Sequence, residues 1–278
     1  MRLGIFAKTF TGDNPLAVMR AAANAGYSCV QYNMACSGLG SLPEFVSDAA
    51  ARMVAQGSVE TGVAVAAVSA TYNMIHPDLA VREKGRRSFT AIAAQARAMG
   101  APVVTLCTGT RDRDDPWRHH PQNASKEAWA DLIREFEAII PVAEETGVLL
   151  GIEPELGNVV SDAITARRLF DEMRSDRLRI VLDAANLFEL ASADEQRRVI
   201  EEAVHLLGPH IAMAHAKDRT ADGGFCAPGK GVIDFGHYVR ALKAAGFEGD
   251  VVTHGLAGDE ANDVAQFLSP LVLRLRGG

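Results

Sequence analysis

The feature that most constrains this 278-residue chain is the alternation of short apolar segments with longer amphipathic ones. Most of the short segments are unbroken apolar or β-branched runs without period-two alternation, as in Ile-Val-Leu at 180–182. Strands buried on both faces of a parallel sheet have this character. Eight such segments recur at near-regular spacing: Leu3–Ala7, Ser28–Tyr32, Val63–Ser69, Pro102–Cys107, Val148–Glu153, Arg179–Asp183, Ile211–His215 and Asp250–His254.

Helix signals lie between these candidate strands. Asn14-Pro15 is a cap followed by proline, and both Ser41-Leu-Pro-Glu44 and Ser192-Ala-Asp-Glu195 match the capping box. Eight strand–helix units without a dividing linker predict a (β/α)8 TIM barrel, with residues 1–278 as one domain. The alternative is an open doubly wound sheet, which is disfavoured because no GxGxxG motif follows the first strand.

The charge balance and the hydropathy narrow the range of partners. The chain has 35 acidic residues against 28 Lys and Arg, a net charge of −7, which disfavours a surface that neutralises phosphodiesters. No apolar run is long enough to cross a membrane, and the N-terminus does not read as a signal peptide. The four cysteines form no CxxC pair. We therefore expect a cytoplasmic protein that binds neither nucleic acid nor membrane.

Ionisable side chains stand at the ends of the last four predicted strands. These strands finish on Glu153, Asp183, His215 and His254. A single carboxylate at a strand end is often a helix cap or a solvated loop residue, and a single histidine is more often a packing or hydrogen-bonding residue than a ligand. Together they point to a divalent metal site, because active sites of these barrels lie at the carboxyl ends of the strands. Pro154 disfavours helical geometry at Glu153, which should keep that carboxylate extended toward the barrel mouth.

Four further residues of the same rim are candidates with open alternatives. Glu155 is a second acid or base, or a solvated loop residue. Asn186 contacts a substrate hydroxyl or caps the next helix, and Lys217 holds a substrate oxygen or pairs with a rim carboxylate. His76 reaches the substrate or orders the turn before the third helix.

Two loops complete the rim. The polar segment 111–120 contains Trp117, and we interpret it as a lid or a partner contact because the indole needs something to cover. The glycine-rich Pro228–Asp234 could cradle a phosphate, but it lacks P-loop spacing, and a flexible rim loop is the favoured interpretation.

Four motifs carry a resemblance to a known family: Gly151-Ile-Glu-Pro154, Val181-Leu-Asp-Ala-Ala-Asn186, His215-Ala-Lys-Asp218 and Gly229-Lys-Gly-Val-Ile-Asp234. In order and strand placement they resemble the xylose isomerase-like barrels, often described as sugar phosphate isomerases or epimerases. The resemblance covers essentially the whole chain. It implies one divalent ion held by a Glu, an Asp, a His and a second Glu, with Glu153, Asp183 and His215 in the first three roles.

The sequence departs from that family on the eighth strand, where His254 follows Thr253 in place of the second glutamate. His254 is an acceptable metal ligand but not a second anionic base, which counts against a two-glutamate epimerase mechanism. The resemblance implies an isomerase or epimerase that acts on a small carbohydrate through an enediolate, with one Mn, Co, Zn, Mg or Fe ion. Glu153 is the expected base, and Glu155 or His254 the second acid or base.

Two other classes of protein remain open at this stage. Apurinic-site endonucleases resemble this family and use three zinc ions, and His76 would match one of their ligands, yet Asn186 stands where they need a histidine. A barrel with a degenerate metal site would be a non-catalytic binding protein. Barrels of this kind often associate, so a homo-oligomer is also an open expectation.

Overall fold

The structure is a computed structural model that describes residues 1–273. Eight parallel strands close into a barrel, in which neighbours in sequence are neighbours in space and the first strand pairs with the eighth. Numbered in chain order, the barrel strands are Arg2–Phe6, Cys29–Tyr32, Ala64–Ser69, Val103–Cys107, Leu149–Glu153, Leu178–Asp183, Ile211–Ala216 and Asp250–Thr253. The predicted (β/α)8 fold is confirmed, with every strand boundary within one residue of its predicted place.

Eight α-helices of the described chain surround the barrel. They are α1 Pro15–Asn24, α2 Asp48–Thr61, α3 Leu79–Ala96, α4 Lys126–Thr146, α5 Ala163–Met173, α6 Ala193–Leu207, α7 Phe235–Ala244 and α8 Ala261–Leu273. Among residues 1–273, none of the helices combines the length and the apolar character that a membrane span requires.

Two of the three helix-start motifs in the sequence cap a helix in the structure, and one does not. The Asn14 side chain accepts a hydrogen bond from the amide of Ala17 at 3.1 Å, and Ser192 forms the expected capping box at the start of α6. The capping box predicted at Ser41-Leu-Pro-Glu44 is wrong, because α2 begins after Ser47. The Glu44 carboxylate instead binds Arg87 of α3 at 2.7 Å, a contact between distant segments that a local motif cannot reveal.

The barrel lumen explains how the strand ends are positioned. Apolar side chains fill it, among them Val181, Met213 and Val252, and Gly151 leaves room because a Cβ there would lie 2.8 Å from Val103. Residues two apart on a strand share a face. Gly151, Val181 and Met213 face the lumen, so the residues two places after them face it as well, at the carboxyl end of the barrel. These residues are Glu153, Asp183 and His215.

Candidate metal and substrate site

Glu153, Asp183, His215 and His254 come together at the carboxyl end of the barrel. Each offers a ligand atom, and these four atoms all lie within 4.8 Å of one another. Glu153 and Asp183 end the fifth and sixth strands, His215 is the penultimate residue of the seventh, and His254 directly follows the eighth. Within residues 1–273 this is the one group of three or more such side chains that could hold a metal ion.

Hydrogen bonds orient both imidazole rings of the cluster. His215 places Nδ1 3.0 Å from Glu153 Oε1 and Nε2 2.7 Å from Gln31 Oε1. The Gln31 amide nitrogen already donates to Thr105, so the Gln31 oxygen is the atom that faces His215. The Gln31 and Glu153 oxygens both accept hydrogen bonds, and therefore both ring nitrogens of His215 donate. Nε2 of His254 lies 3.1 Å from Asp183 Oδ2, and the two ring centroids are 4.5 Å apart.

The ionisable groups of the cluster shift one another's pKa values. Burial favours the neutral carboxyl of Glu153, but the adjacent His215 outweighs it and lowers the pKa. Burial likewise opposes ionisation of Asp183, yet Lys217 and His254 lower its pKa. The two histidines differ: Glu153 overcomes burial and raises the pKa of His215, whereas burial and the nearby His215 lower the pKa of His254. Two buried carboxylates are thus kept ionised by cationic neighbours.

The donor set fits a divalent metal ion. Two carboxylates and two imidazoles are the oxygen and nitrogen ligands that Zn, Mn, Co and Fe accept. Both histidines direct a ring nitrogen toward a carboxylate of the cluster, and the raised pKa of His215 places positive charge where a cation would bind. Metal ligands of this kind must be deprotonated to bind, so an ion would displace the proton of His215.

Asn186 and Lys217 extend the cluster on the side of the sixth and seventh strands. The Asn186 amide donates to Glu153 Oε1 at 2.8 Å, and Lys217 Nζ donates to Asn186 Oδ1 at 2.8 Å. Lys217 also lies 3.7 Å from Asp183, as the pairing alternative predicted. The helix-cap alternative for Asn186 is wrong, because Ser192 caps α6. Asn186 is fully buried and acts on Glu153 and Lys217 at once.

A cavity of about 390 Å³ opens above the cluster. Glu153, His215, His254 and Lys217 form part of its wall, and Glu155 joins them there. The Glu155 carboxyl makes no hydrogen bond within the described residues, and burial raises its pKa to about 7. Glu155 is thus a wall residue of the cavity and not a solvated loop residue, and its role as an acid or base stays a prediction.

His76 lies outside this cavity and lines a neighbouring one. Its Nδ1 accepts a hydrogen bond from the amide of Asp78 at 3.0 Å, and its Nε2 is 3.1 Å from the Arg113 carbonyl. His76 therefore orders the turn before α3, as one of its two alternatives predicted, and it also lines the neighbouring cavity.

The glycine-rich loop after the seventh strand is organised by a buried carboxylate. Asp218 accepts hydrogen bonds from the amides of Gly229 at 3.0 Å, Gly231 at 2.9 Å and Ile233 at 3.1 Å. These amides donate to Asp218 and are not available to a phosphate, so the loop is not a phosphate cradle. The same hydrogen bonds hold the loop in place, so it is not a flexible rim loop.

Asp218→Asn is expected to lower the free energy of unfolding by about 2 to 4 kcal/mol, because an amide nitrogen would face the amide donors of Gly229 and Gly231. Denaturant unfolding measures the change. Asp13→Asn, the same substitution at an exposed position whose carboxylate has no hydrogen-bond partner within residues 1–273, is the matched control and should cost less than about 0.5 kcal/mol. Equal losses in the two variants would show that the contacts of Asp218 carry no special stability.

Two features of the site have little signal in the sequence. Gln31 fixes His215 across 184 positions of the chain, and a contact between segments so far apart has no local pattern. A short antiparallel hairpin, Asp218–Arg219 with Phe225–Cys226, was not predicted. It brings the Phe225 ring to 3.9 Å from Lys217 Nζ, so an aromatic face covers the lysine at the edge of the cavity.

The comparisons with known proteins agree with this architecture. Residues 19–268 match the family described as xylose isomerase-like TIM barrel. The chain belongs to that family. No curated protein sequence matches it significantly.

Several solved structures share the fold. A 3-keto-D-glucoside 4-epimerase from E. coli superposes with a TM-score of 0.77 at 17% identity, over 96% of this chain and 98% of the other. A D-psicose 3-epimerase, solved in the presence of D-fructose, gives 0.74 at 15% identity, over 98% and 99% of the two chains. The IolI protein with a bound zinc atom gives 0.72 at 18% identity, over 98% of each chain. At such identities the likeness establishes the fold alone.

Proposed function

We propose that this chain is a divalent-metal-dependent sugar isomerase or epimerase. The observation that carries the proposal is the convergence of Glu153, Asp183, His215 and His254 within 4.8 Å at the mouth of a barrel of this family. The cavity above them is large enough for a small carbohydrate, since ligand sites span about 300 to 1,000 Å³.

Glu153 is the proposed base that removes a proton from a substrate carbon next to a carbonyl. Its Oε1 is held by His215 and Asn186, at 3.0 and 2.8 Å. Within residues 1–273, the one hydrogen bond to its Oε2 comes from the Cys107 thiol at 4.0 Å, so this oxygen stays available to take the proton. A carboxylate fixed through one oxygen and free at the other is suited to general base catalysis, which depends on geometry first.

The four ligand residues would hold one divalent ion beside the sugar. When bound, such an ion polarises the carbonyl and the adjacent hydroxyl oxygen and so stabilises the negative charge that develops as the proton leaves. Lys217 contributes a fixed positive charge on the same wall, oriented by Asn186. These groups are preorganised, which is the main source of electrostatic catalysis.

Glu155 is the proposed second proton carrier. It faces the cavity without a hydrogen-bond partner in the described residues, whereas His254 already engages Asp183. The eighth strand supplies an imidazole where a second carboxylate would serve the opposite face of the carbon. This arrangement favours proton transfer between neighbouring carbons over inversion at one carbon. The epimerases that share the fold are named for inversion at C3 or C4, so both reactions belong in the test.

The endonuclease alternative has less support. A trinuclear zinc site needs ligands for three ions, and the described residues assemble one group of four. Asn186 occupies the position where a further histidine would stand, and its amide is committed to Glu153 and Lys217.

A solvent-exchange screen tests the proposal. The metal-free chain, reconstituted with Mn²⁺ or Co²⁺, is incubated with a panel of ketoses and keto-glycosides in D₂O. We expect metal-dependent incorporation of deuterium at a carbon adjacent to a carbonyl, read by NMR. Incorporation that is identical with and without added metal would overturn the metal requirement. No incorporation into any substrate of the panel would count against the isomerase class.

A further inference from the structure

A second cavity of about 520 Å³ adjoins the site cavity. The two share four wall residues, which makes them two chambers of one cleft: Leu42, Thr71, Cys107 and Trp117. The outer chamber, as we call the second cavity, is otherwise built from the loop after the third strand, α3, the loop after the fourth strand and Asn158 of the loop after the fifth strand. Its volume alone is that of a small-molecule site, and a single sugar ring in the inner cavity would leave it unfilled.

The walls of the outer chamber are fixed. Asn73 donates to the Thr110 carbonyl at 2.9 Å and accepts from the Thr110 amide at 2.9 Å. Asn158 joins both ends of the next segment, donating to the Pro116 carbonyl at 3.2 Å and accepting from the Gly109 amide at 2.8 Å. Gly109 is required here, since its φ is +79° and a Cβ would lie 2.1 Å from Asn73. Segment 111–120 is thus a tethered wall, and the interpretation of it as a lid has no support in these contacts.

The outer chamber is positively charged. Lys84 and Arg113 line it, and within residues 1–273 neither side chain makes an ion pair or hydrogen bond. No acidic side chain is among the described residues that line the chamber. The acids beside these cations are engaged elsewhere. Asp112 and Asp114, which flank Arg113, lie 2.7 and 3.9 Å from Arg118. Glu44 binds Arg87 at 2.7 Å, and its pKa is lowered by Arg87 first and by Lys84 to a smaller extent. Two unpaired cations facing one cavity favour an anionic ligand group.

The boundary between the chambers is aromatic. Trp117 lines both cavities and is 52% exposed. Leu42 is a second apolar residue common to both cavities, and Val81 belongs to the outer chamber alone. An exposed indole at this position offers a stacking surface to a ring that enters the outer chamber, together with the cations beyond it.

We propose that the outer chamber binds a ring-containing, negatively charged group appended to the reacting sugar. The substrate is then an anionic glycoside and not a free monosaccharide. This inference rests on the proposed function, because it takes the inner cavity as the place of the reacting sugar. The inference adds the class of substrate to the proposed function. The substrate is a sugar joined to a ring that carries a carboxylate or a phosphate ester.

Equilibrium binding to the whole chain tests the proposal without catalysis. The probes are D-glucose, phenyl β-D-glucoside and 4-carboxyphenyl β-D-glucoside. Their binding is measured by calorimetry and by tryptophan fluorescence. The chain has two tryptophans, and Trp129 is 7% exposed, so Trp117 should report the signal. We expect the phenyl group to tighten binding about tenfold over glucose, and the carboxylate to tighten it about tenfold again.

Charge variants assign the effect to the chamber. Lys84→Ala and Arg113→Ala should each weaken the carboxylated probe by about fivefold and leave the phenyl glucoside unchanged. Arg97→Ala is the matched control, because it removes an exposed cation from the other end of the same helix, and it should change neither affinity.

The outcomes separate this inference from the proposed function. Equal affinities for the two glucosides, or an equal loss in Arg97→Ala, would overturn the anionic chamber. Equal affinities for glucose and both glucosides would overturn the extended substrate altogether. Either result leaves the metal-dependent exchange reaction standing. The expected affinities without exchange in any sugar would support the chamber and contradict the catalytic proposal.

Discussion

Glu153→Gln is expected to lower deuterium exchange into the substrate by about 1,000-fold or more, because the amide cannot take a proton from carbon. Glutamine keeps the size of the side chain and an oxygen for the Asn186 amide, which donates at 2.8 Å in the native chain. The fold should therefore persist, as judged by circular dichroism and thermal unfolding. NMR of the substrate in D₂O measures the rate.

Glu155→Gln is the matched comparison for that experiment, since it makes the same change two residues away on the same cavity wall. It should retain single proton removal and lose turnover to product, because Glu155 is the proposed second carrier. Exchange in Glu153→Gln at the native rate would show that Glu153 is not the base. If only Glu155→Gln stopped exchange, the roles of the two residues would be reversed.

Asp183→Asn is expected to weaken binding of Mn²⁺ or Zn²⁺ by about 100-fold or more. The substitution removes a buried anionic ligand from the cluster and leaves Lys217, 3.7 Å away, to repel the incoming ion. Calorimetry measures the affinity, and the exposed Asp222→Asn serves as the control for the loss of one negative charge. Native affinity in Asp183→Asn would remove this residue from the ligand set.

His254→Ala tests the contribution to metal affinity of the position where this chain departs from its family. Loss of one neutral ligand should weaken metal binding by about tenfold, less than loss of the Asp183 charge. His254→Glu should restore affinity, because a carboxylate is an equally acceptable ligand. If metal affinity in His254→Ala equalled that of the native chain, three residues would account for the site.

The sequence predicts the parts of the site that strand periodicity controls. Glu153 and Asp183 end apolar runs, so their place at the barrel mouth follows from the alternation of side chains on a strand and the closure of the barrel. The same reasoning holds for His215. His254 lies one residue past its strand, and its position depends on the adjoining loop as well.

The remaining features depend on contacts between distant segments. The Ser41–Glu44 motif has the correct local pattern, but Glu44 binds Arg87 instead. Asn186 was expected to cap a helix or touch substrate, and it bridges Glu153 and Lys217 because three strand ends converge on it. The outer chamber has no sequence signal, since Lys84 on α3 and Arg113 in the loop after the fourth strand line one cavity only in the folded chain.

The most direct test of the single-ion site is native mass spectrometry of the chain after metal-free preparation and titration with Mn²⁺ or Zn²⁺. One ion bound per chain, and none in Asp183→Asn at the same concentration, is the result expected from the cluster of Glu153, Asp183, His215 and His254. Three ions per chain, or no ion at any concentration that loads related metal sites, would contradict the account.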